Sequence, residues 1–485
     1  MRISSKTSTL AVAAILSLSM LAGLALTTEE TDAATTWINI STKEDLQRIG
    51  TDVEYPAGSG VMWTNSASYR MTADIELTGT DNLMPIGSGT NKFSGIFDGR
   101  GYTIDGLNQS EAMNPGAFGS RFPMGLFGYI DGGTVKNLNL TNIDILGNYP
   151  GAIAYTMFSS AGPALIEKCT ITGAVSNFGY ASMMGSYAGG IVTWIVADGN
   201  SVTVRECSID VTVYTEDDNA DAISGGIAGH INVEHGNAFF INCVNKGEVV
   251  AYSRGTEPYM HSSTGGFAGE VGVMNDGDSI QFINCVNTGD VVAQYGVTKY
   301  AGGTIGSIYW SSATLPVFFL INCYSTDILV SELFNVQIPS LAALVVIDGV
   351  STPPRLTNQA SGVYTMLEME TTQEEAAAGT SIFYTGITTL PDSTTASGFD
   401  FVNIWSIGED GLPDVDLSSG TVDPTEPDKD DTDGLTLHQI IGIMMAMILI
   451  TTLMGYWRGG GAGAMVGLSI GAVLTLIFAK LMGVF

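Results

Sequence analysis

Residues 264–293 read TGGFAGEVGVMNDGDSIQFINCVNTGDVVA, a stretch that holds one full unit of a repeat found along the chain. A Gly-Gly pair begins an apolar strand, a variable loop follows, and a second strand ends at Cys285. A short glycine turn then leads into a third, valine-rich strand. Brief β-branched strands separated by Asn, Gly and Asp are typical of β structure. No segment of helical periodicity long enough for a crossover helix lies between them.

The repeat returns every 36 to 42 residues, as the spacing of the cysteines shows. Three short strands per unit predict one coil of a parallel β-helix, in which neighbouring coils hydrogen-bond about 4.8 Å apart. The glycines suit tight turns between the strands. The repeated cysteines are Cys169, Cys207, Cys243, Cys285 and Cys323. The repeated glycine pairs are Gly189 and Gly190, Gly225 and Gly226, Gly265 and Gly266, and Gly302 and Gly303.

The five cysteines occupy one position of the repeat, so stacking of the coils predicts an internal column of small apolar side chains. Five cysteines cannot all pair within one chain, which favours buried free thiols. Disulfides remain the alternative in a secreted protein. At these cysteines the sequence has neither a CxxC pair nor a suitably spaced histidine, so it does not indicate a metal site.

The Gly-Gly-x-x-Gly strand followed by INCVNTGDV (Ile283–Val291) resembles the GLUG repeat of bacterial and archaeal surface proteins. Phe93–Leu107 (FSGIFDGRGYTIDGL) and Gly125–Ile145 resemble neighbouring coils of that group, and Phe399–Leu417 is similar to the segment that often closes it. The resemblance covers about Trp37–Leu417. It implies an all-β chain folded as a right-handed parallel β-helix (a β-solenoid), in a group that includes adhesin-like proteins.

The first coil of a solenoid needs a cap, because an open strand edge pairs with other chains. Ser41-Thr42-Lys43-Glu44 reads as a capping box, and Leu46 and Ile49 supply a small apolar face before Gly50. The pattern predicts a short N-terminal capping helix over Thr42–Ile49.

Apolar residues concentrate at both ends of the chain. An apolar run from about Leu10 to Leu26 follows two basic residues and precedes small ones, as in a secretory signal peptide; an uncleaved anchor is the alternative. Leu435–Trp457 and Ala462–Val484 are each long enough to cross a bilayer. The predicted parts are a signal peptide (1–33), a β-helix ectodomain (34–420, with clear repeats over 125–330 and no repeat motif over 331–396), an acidic linker (421–434) and a transmembrane helical hairpin (435–485).

The second predicted membrane helix carries a small residue at every fourth position. Small residues at this spacing let helices approach closely in lipid. The ladder serves packing within the hairpin or association between chains, and both interpretations stay open. Its members are Gly459, Gly463, Gly467, Gly471, Thr475, Ala479 and Gly483.

Charge restricts the partners that the chain can have. The sequence holds 18 Lys and Arg against 49 Asp and Glu, a formal net charge of −31. Nucleic-acid binding requires clustered basic residues, so it is excluded as a function class. Docking on anionic lipid is disfavoured for the same reason. Because the acids lie in the predicted ectodomain and linker, they are consistent with an exposed extracellular body.

Few residues in the predicted ectodomain point to chemistry. Aligning the Gly-Gly strands places Trp194, His230, Glu270 and Ser307 in one column, with His230 beside Glu270. That pair is either an acid–base or ligand contact or a hydrogen-bonded surface pair. No GxSxG, HExxH or phosphate-loop motif appears. Acidic loops could bind calcium or form solvated turns; their members are Asp217, Asp218, Asp221, Asp276 and Asp278.

The sequence therefore predicts a cell-surface β-helix protein, anchored in the membrane, that acts in adhesion or as a structural surface component. Its ligand would be a glycan or a surface protein, and no cofactor or catalytic residue is assigned. One alternative is a polysaccharide-active enzyme, either a lyase or a glycoside hydrolase. The other is a subunit of an oligomeric membrane or virion-envelope assembly, formed through the second membrane helix.

Overall fold

The computed structural model describes most of the chain between residues 36 and 310 and shorter stretches beyond it. The described residues are 36–78, 81, 83–110, 123–179, 185–254, 260–275, 278–294, 298–310, 317–325, 328–330, 342–347, 382–386, 400–401, 404–408 and 413–415. They all belong to one compact unit, Thr35–Pro424. The predicted signal peptide, acidic linker, membrane hairpin and small-residue ladder lie outside them. Within the described residues, the structure contains no helix with the length and hydropathy of a membrane span.

The described chain is all-β apart from one short helix, and its strands lie parallel from coil to coil. The coils stack in register: Trp194 pairs with His230, and His230 pairs with Glu270 of the next coil. One network contains 26 strands, and a separate four-stranded parallel sheet covers a further flank. This stacking of parallel strands confirms the predicted fold at the level of an all-β, solenoid-like architecture.

The elements run in chain order through these coils. The one helix is α1, Lys43–Arg48. The strands are β1 Trp37–Ile40, β2 Ser68–Met71, β3 Ile75–Glu76, β4 Ile96–Asp98, β5 Thr103–Asp105, β6 Asn108–Ser110, β7 Phe127–Asp131, β8 Thr134–Lys136, β9 Asn139–Leu146, β10 Ala154–Phe158, β11 Ala164–Glu167, β12 Thr170–Gly179, β13 Ser186–Gly189, β14 Val192–Arg205, β15 Ser208–Asp217, β16 Ala222–Gly225, β17 Ala228–Ile241, β18 Val244–Asn245, β19 Val249–Ser253, β20 His261–Gly265, β21 Ala268–Val273, β22 Ser279–Ile283, β23 Val286–Asn287, β24 Val291–Gln294, β25 Thr298–Gly302, β26 Ile305–Trp310, β27 Val317–Ser325, β28 Ile328–Val330, β29 Ala342–Ile347, β30 Ile382–Gly386, β31 Trp405–Ile407 and β32 Pro413–Val415.

Each Gly-Gly pair forms a corner where the four-stranded sheet passes into the larger one. A Cβ on Gly225 would lie 2.0 Å from the carbonyl oxygen of Ala228 in its own turn. A Cβ on Gly226 would lie 2.1 Å from the carbonyl oxygen of Gly266 in the next coil. The first glycine therefore permits the tight turn, and the second lets the neighbouring coil approach. The same contacts recur at Gly189 and Gly190 and at Gly265 and Gly266.

A second corner precedes each cysteine strand. Lys168, Glu206, Asn242 and Asn284 all have φ of 52–53°, in the left-handed region. Asparagine tolerates this region better than other non-glycine residues. The two asparagines also bond to each other, since Asn284 Nδ2 donates to Asn242 Oδ1 at 3.0 Å.

The cysteine column lies inside the stack. All five cysteines are buried with free thiols. Their Sγ atoms contact backbone carbonyl oxygens; for example, Cys207 Sγ lies 3.2 Å from the oxygen of Arg205. Burial is the largest cause that raises the pKa of Cys207, Cys243 and Cys285 well above the ordinary value.

An asparagine ladder runs beside this column. Asn245 and Asn287 are fully buried on neighbouring coils, and Asn245 Nδ2 donates to Asn287 Oδ1 at 2.7 Å. Asn287 Nδ2 lies 3.2 Å from Ser325 Oγ on the following coil. Each amide also donates to the carbonyl oxygen of the glycine two residues later, Gly247 or Gly289. Side-chain hydrogen bonds therefore follow the axis of the stack, as in other in-register β assemblies.

The N-terminal helix forms with its cap shifted by one residue. The N-cap of α1 is Thr42, whose side chain accepts from the Asp45 backbone N–H, while Asp45 accepts from the Thr42 N–H at 3.1 Å. The assignment of Ser41 and Glu44 to the capping box is therefore wrong. Asp45 also accepts from Ser41 N at 3.0 Å, so a single carboxylate satisfies both amides. Leu46 is fully buried and fixes the helix on the first coil.

A closing strap, of which residues 400–401, 404–408 and 413–415 are described, packs on the outside of the stack. Its strands β31 and β32 are antiparallel, and Trp405 and Val415 pack on Val244 and Val286. Asp414 joins the strap to the coils by accepting a hydrogen bond from Ser208 Oγ at 2.8 Å and by pairing with Lys246. Trp405 is only 2% exposed, so the strap buries its largest side chain against two outward-facing valines.

Candidate functional site

The register brings together the column expected from the Gly-Gly alignment. Trp194, His230, Glu270 and Ser307 pair in succession on β14, β17, β21 and β26. His230 Nδ1 lies 3.0 Å from Glu270 Oε2, and the two side chains are 12% and 15% exposed. Because an ionised carboxylate can only accept, the imidazole donates in this bond.

A second histidine extends this pair into a chain of four titratable groups. His261, at the start of β20, places Nδ1 3.1 Å from Asp221 Oδ1, and its backbone N–H donates to the same oxygen at 2.8 Å. Its Nε2 lies 3.9 Å from Glu270 Oε1. The order is therefore Asp221, His261, Glu270, His230, with carboxylate and imidazole alternating.

The link through His261 is absent from the sequence prediction, and the turn geometry explains why. The Gly265-Gly266 corner folds β20 back against β21, which brings His261 beside Glu270 although they are nine positions apart. Alignment of equivalent strands compares coils with each other and does not pair the two arms of one corner. In the sequence, the glycine pair lies midway between His261 and Glu270, and this symmetry is the feature that could have indicated their contact.

Aromatic rings border His230, the histidine that is hydrogen-bonded to Glu270. Tyr187 on β13 and Trp194 meet edge to face, with ring centroids 5.4 Å apart and planes at 77°. His230 contacts both rings, at 5.7 Å from Tyr187 and 5.5 Å from Trp194. Tyr187 and Trp194 are both half-buried. We call Tyr187, Trp194, His230, His261, Glu270 and Asp221 together the aromatic–carboxylate face.

The aromatic rings continue towards the N-terminal coils. Tyr149 stacks on Tyr187 with centroids 6.0 Å apart and planes at 25°. The hydroxyl of Tyr149 donates to the carbonyl oxygen of Gly185 at 3.0 Å. Tyr149 also meets Tyr155 at 6.1 Å, and both are 4% exposed. The buried ring of Tyr149 packs against Tyr187, and Tyr187 is the half-buried member of this row of rings.

The Lys and Arg residues of the described coils form no ion pair with Asp221 or Glu270. Most pair with carboxylates on other parts of the solenoid: Lys43 with Asp81, Arg48 with Asp45, Lys92 with Asp131, Lys136 with Asp98, Lys168 with Glu206, Arg205 with Glu167, Lys246 with Asp414 and Arg254 with Glu216. Among the side chains that the structure describes, the ion-pair partners of Asp221 and Glu270 are histidines alone.

The described aspartates that were predicted as calcium candidates do not come together in one site. Asp217 is fully buried and accepts from Ser186 Oγ at 2.7 Å and from the backbone N–H groups of Asn219 and Ala220, each at 2.8 Å. Burial raises its pKa. Asp218 lies 3.7 Å from Arg254. Asp217 therefore holds its own loop together, and Asp218 has a protein counter-ion.

The remaining calcium candidates are likewise separate. Asp221 is bound to His261. Asp278 Oδ1 accepts from Gly236 N at 2.9 Å, and burial raises the pKa of Asp278. Asp276 lies outside the described residues. Over the part of the chain that the structure describes, no group of three or more His, Cys, Asp or Glu side chains could hold a metal ion.

The serine of the column is not placed as a nucleophile. Ser307 is 4% exposed, and its Oγ lies 2.9 Å from Ser263 Oγ. Ser263 in turn donates to the carbonyl oxygen of Gly269 at 2.7 Å. An activated serine needs a base within hydrogen-bond reach. Since these two hydroxyls bond to each other and to backbone, they brace the corner.

No family model matches the sequence, and no curated protein matches it. Among solved structures, a proposed immunoglobulin A1 protease from Bacteroides ovatus is similar to this chain at 18% identity and a TM-score of 0.46. The likeness covers 81% of this chain and 96% of that protein. At that TM-score, it carries no argument about fold or activity.

Proposed function

We propose that the chain is a cell-surface protein whose right-handed parallel β-helix binds a glycan or a surface protein, in adhesion or as a structural surface component. The observation that carries the proposal is the aromatic–carboxylate face. Half-buried rings beside carboxylates provide apolar contact area and hydrogen-bond acceptors on one rigid flank. Pre-formed surfaces of this kind are typical of ligand recognition, because little ordering cost remains to be met on binding.

The surroundings of this face favour binding over bond cleavage. Within the described part of the chain, the hydroxyls of Ser307 and Ser263 bond to each other and to a backbone carbonyl oxygen, and no basic side chain is paired with either. The resemblance to the GLUG repeat of surface proteins supports the same conclusion. The apolar run before residue 33 and the two runs over residues 435–485 support secretion of the solenoid and its anchoring at the cell surface.

One observation favours the alternative of a polysaccharide-active enzyme. Asp221 and Glu270 flank the imidazole of His261, which gives two carboxylates and a base in one small region. Glycoside hydrolases use paired carboxylates as acid and base or nucleophile. Under this alternative, Glu270 and Asp221 divide those roles, and the aromatic rings bind the sugar.

A binding screen with the full-length chain tests the main proposal. Purified protein is applied to immobilised glycans and to intact cells, and the Trp194→Ala variant is compared with Tyr214→Ala. Tyr214 is a half-buried aromatic on β15, outside the aromatic–carboxylate face, and therefore serves as the matched control. We expect Trp194→Ala to lose binding and Tyr214→Ala to retain it. Equal binding by both variants would remove the face from the proposal.

Incubation of the same protein with bound glycans separates the enzyme from the binding protein. The binding proposal expects no new reducing ends or unsaturated products over long incubation. Release of such products by the wild type, together with their loss in Glu270→Gln, would establish the enzyme instead. Surface exposure is measured independently by protease accessibility of the full chain on intact cells. Protection of the solenoid until the cells are opened would contradict the surface assignment.

The predicted hairpin also supports a proposal about assembly. The small-residue ladder of the second membrane helix would serve as an interface between chains or within the hairpin. Crosslinking of the full chain in membranes, wild type against Gly467→Leu, separates these cases. An unchanged oligomer pattern would contradict association through the ladder.

A further inference from the structure

We propose that the aromatic–carboxylate face binds an organic ammonium group, such as a protonated amino sugar, a lysine side chain or a quaternary ammonium. This inference rests on the proposed binding function and specifies the chemistry of its ligand. The two components of such a site are ring faces that attract a cation and carboxylates that neutralise it. Both occur here over three successive corners: the rings flank Gly189-Gly190, Asp221 precedes Gly225-Gly226, and Glu270 follows Gly265-Gly266.

The rings form an angled surface and not a single stack. Tyr187 and Trp194 meet at 77°, and His230 lies at 85° to Tyr187. Where two rings meet at right angles, a ligand in the angle between them meets the face of one ring and the edge of the other. A cation beside this corner can therefore contact the negative face of one ring, while its alkyl groups pack against the other. Tyr187 and Trp194 are half-buried and therefore not fully enclosed by the chain.

The carboxylates supply a charge that the protein itself does not neutralise with Lys or Arg. The described ion-pair partners of Glu270 are the imidazoles of His230 and His261, whereas Glu167 on the same sheet pairs with Arg205 at 2.5 Å. Among the described side chains, no Lys or Arg pairs with Asp221 or Glu270, so an added ammonium group would supply a cation that the chain does not provide with either residue.

Ligands of other charge fit less well. A uronate or phosphate would face two carboxylates in a chain of formal net charge −31 and would find no described Lys or Arg paired into the site. For a bare divalent cation, the described residues contain no group of three or more ligating His, Cys, Asp or Glu side chains. An organic ammonium group needs no such ligand set, because its methylene or methyl groups can pack on the rings while its charge is attracted by the carboxylates.

Titration calorimetry of the full-length chain in a nonionic detergent tests this with charged probes and neutral counterparts. The pairs are tetramethylammonium with tert-butanol, glucosamine with glucose, and Nα-acetyl-lysine amide with Nα-acetyl-norleucine amide. We expect at least one ammonium probe to bind about tenfold or more tightly than its neutral counterpart. The pair with the largest ratio identifies the source of the ammonium group.

Variants assign the binding to the face. Glu270→Gln keeps the size of the side chain and removes its charge, so we expect about a tenfold loss of affinity. Glu167→Gln, which removes a carboxylate that is paired with Arg205, should leave affinity unchanged. Trp194→Leu should abolish binding and Trp194→Phe should retain part of it, with thermal unfolding confirming that each variant is folded.

Two results would overturn the inference. One is equal affinity for each charged probe and its neutral counterpart, including the absence of binding to any probe; the other is unchanged ammonium binding in Glu270→Gln. Either result leaves the proposed function intact if Trp194→Ala still abolishes binding to glycans or cells. A different result would contradict the proposed function alone. In that case, Trp194→Ala would bind glycans or cells as well as the wild type does, while the wild type would still bind ammonium probes more tightly than their neutral counterparts.

Discussion

Phe240 and Phe282 lie one above the other on neighbouring coils, with ring centroids 4.5 Å apart and planes within 14° of parallel. Both side chains are fully buried. They belong to paired strands β17 and β22, in which Phe240 is directly opposite Phe282. The same repeat position therefore carries the same ring in these two coils, whereas the coils on either side carry Val204 and Leu320 there.

Replacing Phe240 by alanine should lower the free energy of unfolding by about 3–5 kcal/mol, because the substitution removes a buried ring and leaves a cavity next to Phe282. Urea denaturation of the full chain measures the change. Leu146→Ala is the control, since Leu146 is 39% exposed and its truncation should change stability by about 0.5 kcal/mol or less. Similar losses for both variants would contradict the packing described for Phe240.

The cysteine column predicts slow thiol reaction in the folded protein. The thiolate is the reactive form, and burial raises the pKa of Cys207, Cys243 and Cys285, so both access and ionisation are low at pH 8. A maleimide counted by mass spectrometry should label the native chain poorly and reach five labels in denaturant without a reductant. Rapid labelling of all five before unfolding, or a requirement for reductant, would be inconsistent with the column.

Asp81 predicts a pH-dependent contact at the N-terminal cap. A hydrogen bond from Lys43 Nζ at 2.5 Å, followed by bonds from Thr78, lowers the pKa of Asp81 to about 2. Because this pKa lies below the unfolded value, the contribution to stability is present above the unfolded pKa and is lost as the pH falls towards 2.

The Asp81→Asn variant should therefore melt at a lower temperature than the wild type at pH 6. The difference should shrink as the pH is lowered through the range between the unfolded and folded pKa values. Thermal unfolding of both proteins across pH 2–6 measures this convergence. A difference that stays constant over the whole range would show that the charge of Asp81 is not responsible.

Gly226 should not tolerate a methyl group, whereas Gly162 should. A methyl group on Gly226 would meet the backbone oxygen of Gly266 at 2.1 Å, and backbone in a stacked coil cannot move aside. A Cβ at Gly162 meets only the Cα of Gly132 at 3.9 Å. We expect Gly226→Ala to cost about 1–3 kcal/mol of stability or to prevent folding. Gly162→Ala should unfold at the wild-type denaturant concentration, and equal midpoints for both would disprove the close approach.

The repeat predicts those parts of the structure that one coil shares with the next. Counting from the glycine pairs places Trp194, His230, Glu270 and Ser307 in one column, because pairing between parallel strands depends only on register. The contact of His261 with Glu270 depends on how one corner folds on itself, and strand alignment contains no information about it. The N-cap differed by one residue because Thr42 and Asp45 satisfy the same geometric rule as Ser41 and Glu44.

The position of the closing strap could not be predicted from the repeat. The resemblance predicts a closing segment over Phe399–Leu417 but not where it lies. Val244 and Val286 alternate with core-facing residues and read as outward positions of a half-exposed strand. Only the structure shows that Trp405 covers them. Contacts between residues so far apart in sequence leave no periodic signal in a single chain.

The position of Asp414 determines how the protein carries a mechanical load. Asp414 binds Ser208, 206 positions earlier, and Lys246, 168 positions earlier. A pull on the chain beyond Val415 therefore reaches the coils that contain Ser208 and Lys246 before it reaches the coil of β29 and β30. Tension enters the stack across several coils at once, as shear along the strap, instead of peeling strands one by one from the end. We expect a solenoid loaded in this way to resist unravelling until the strap itself detaches.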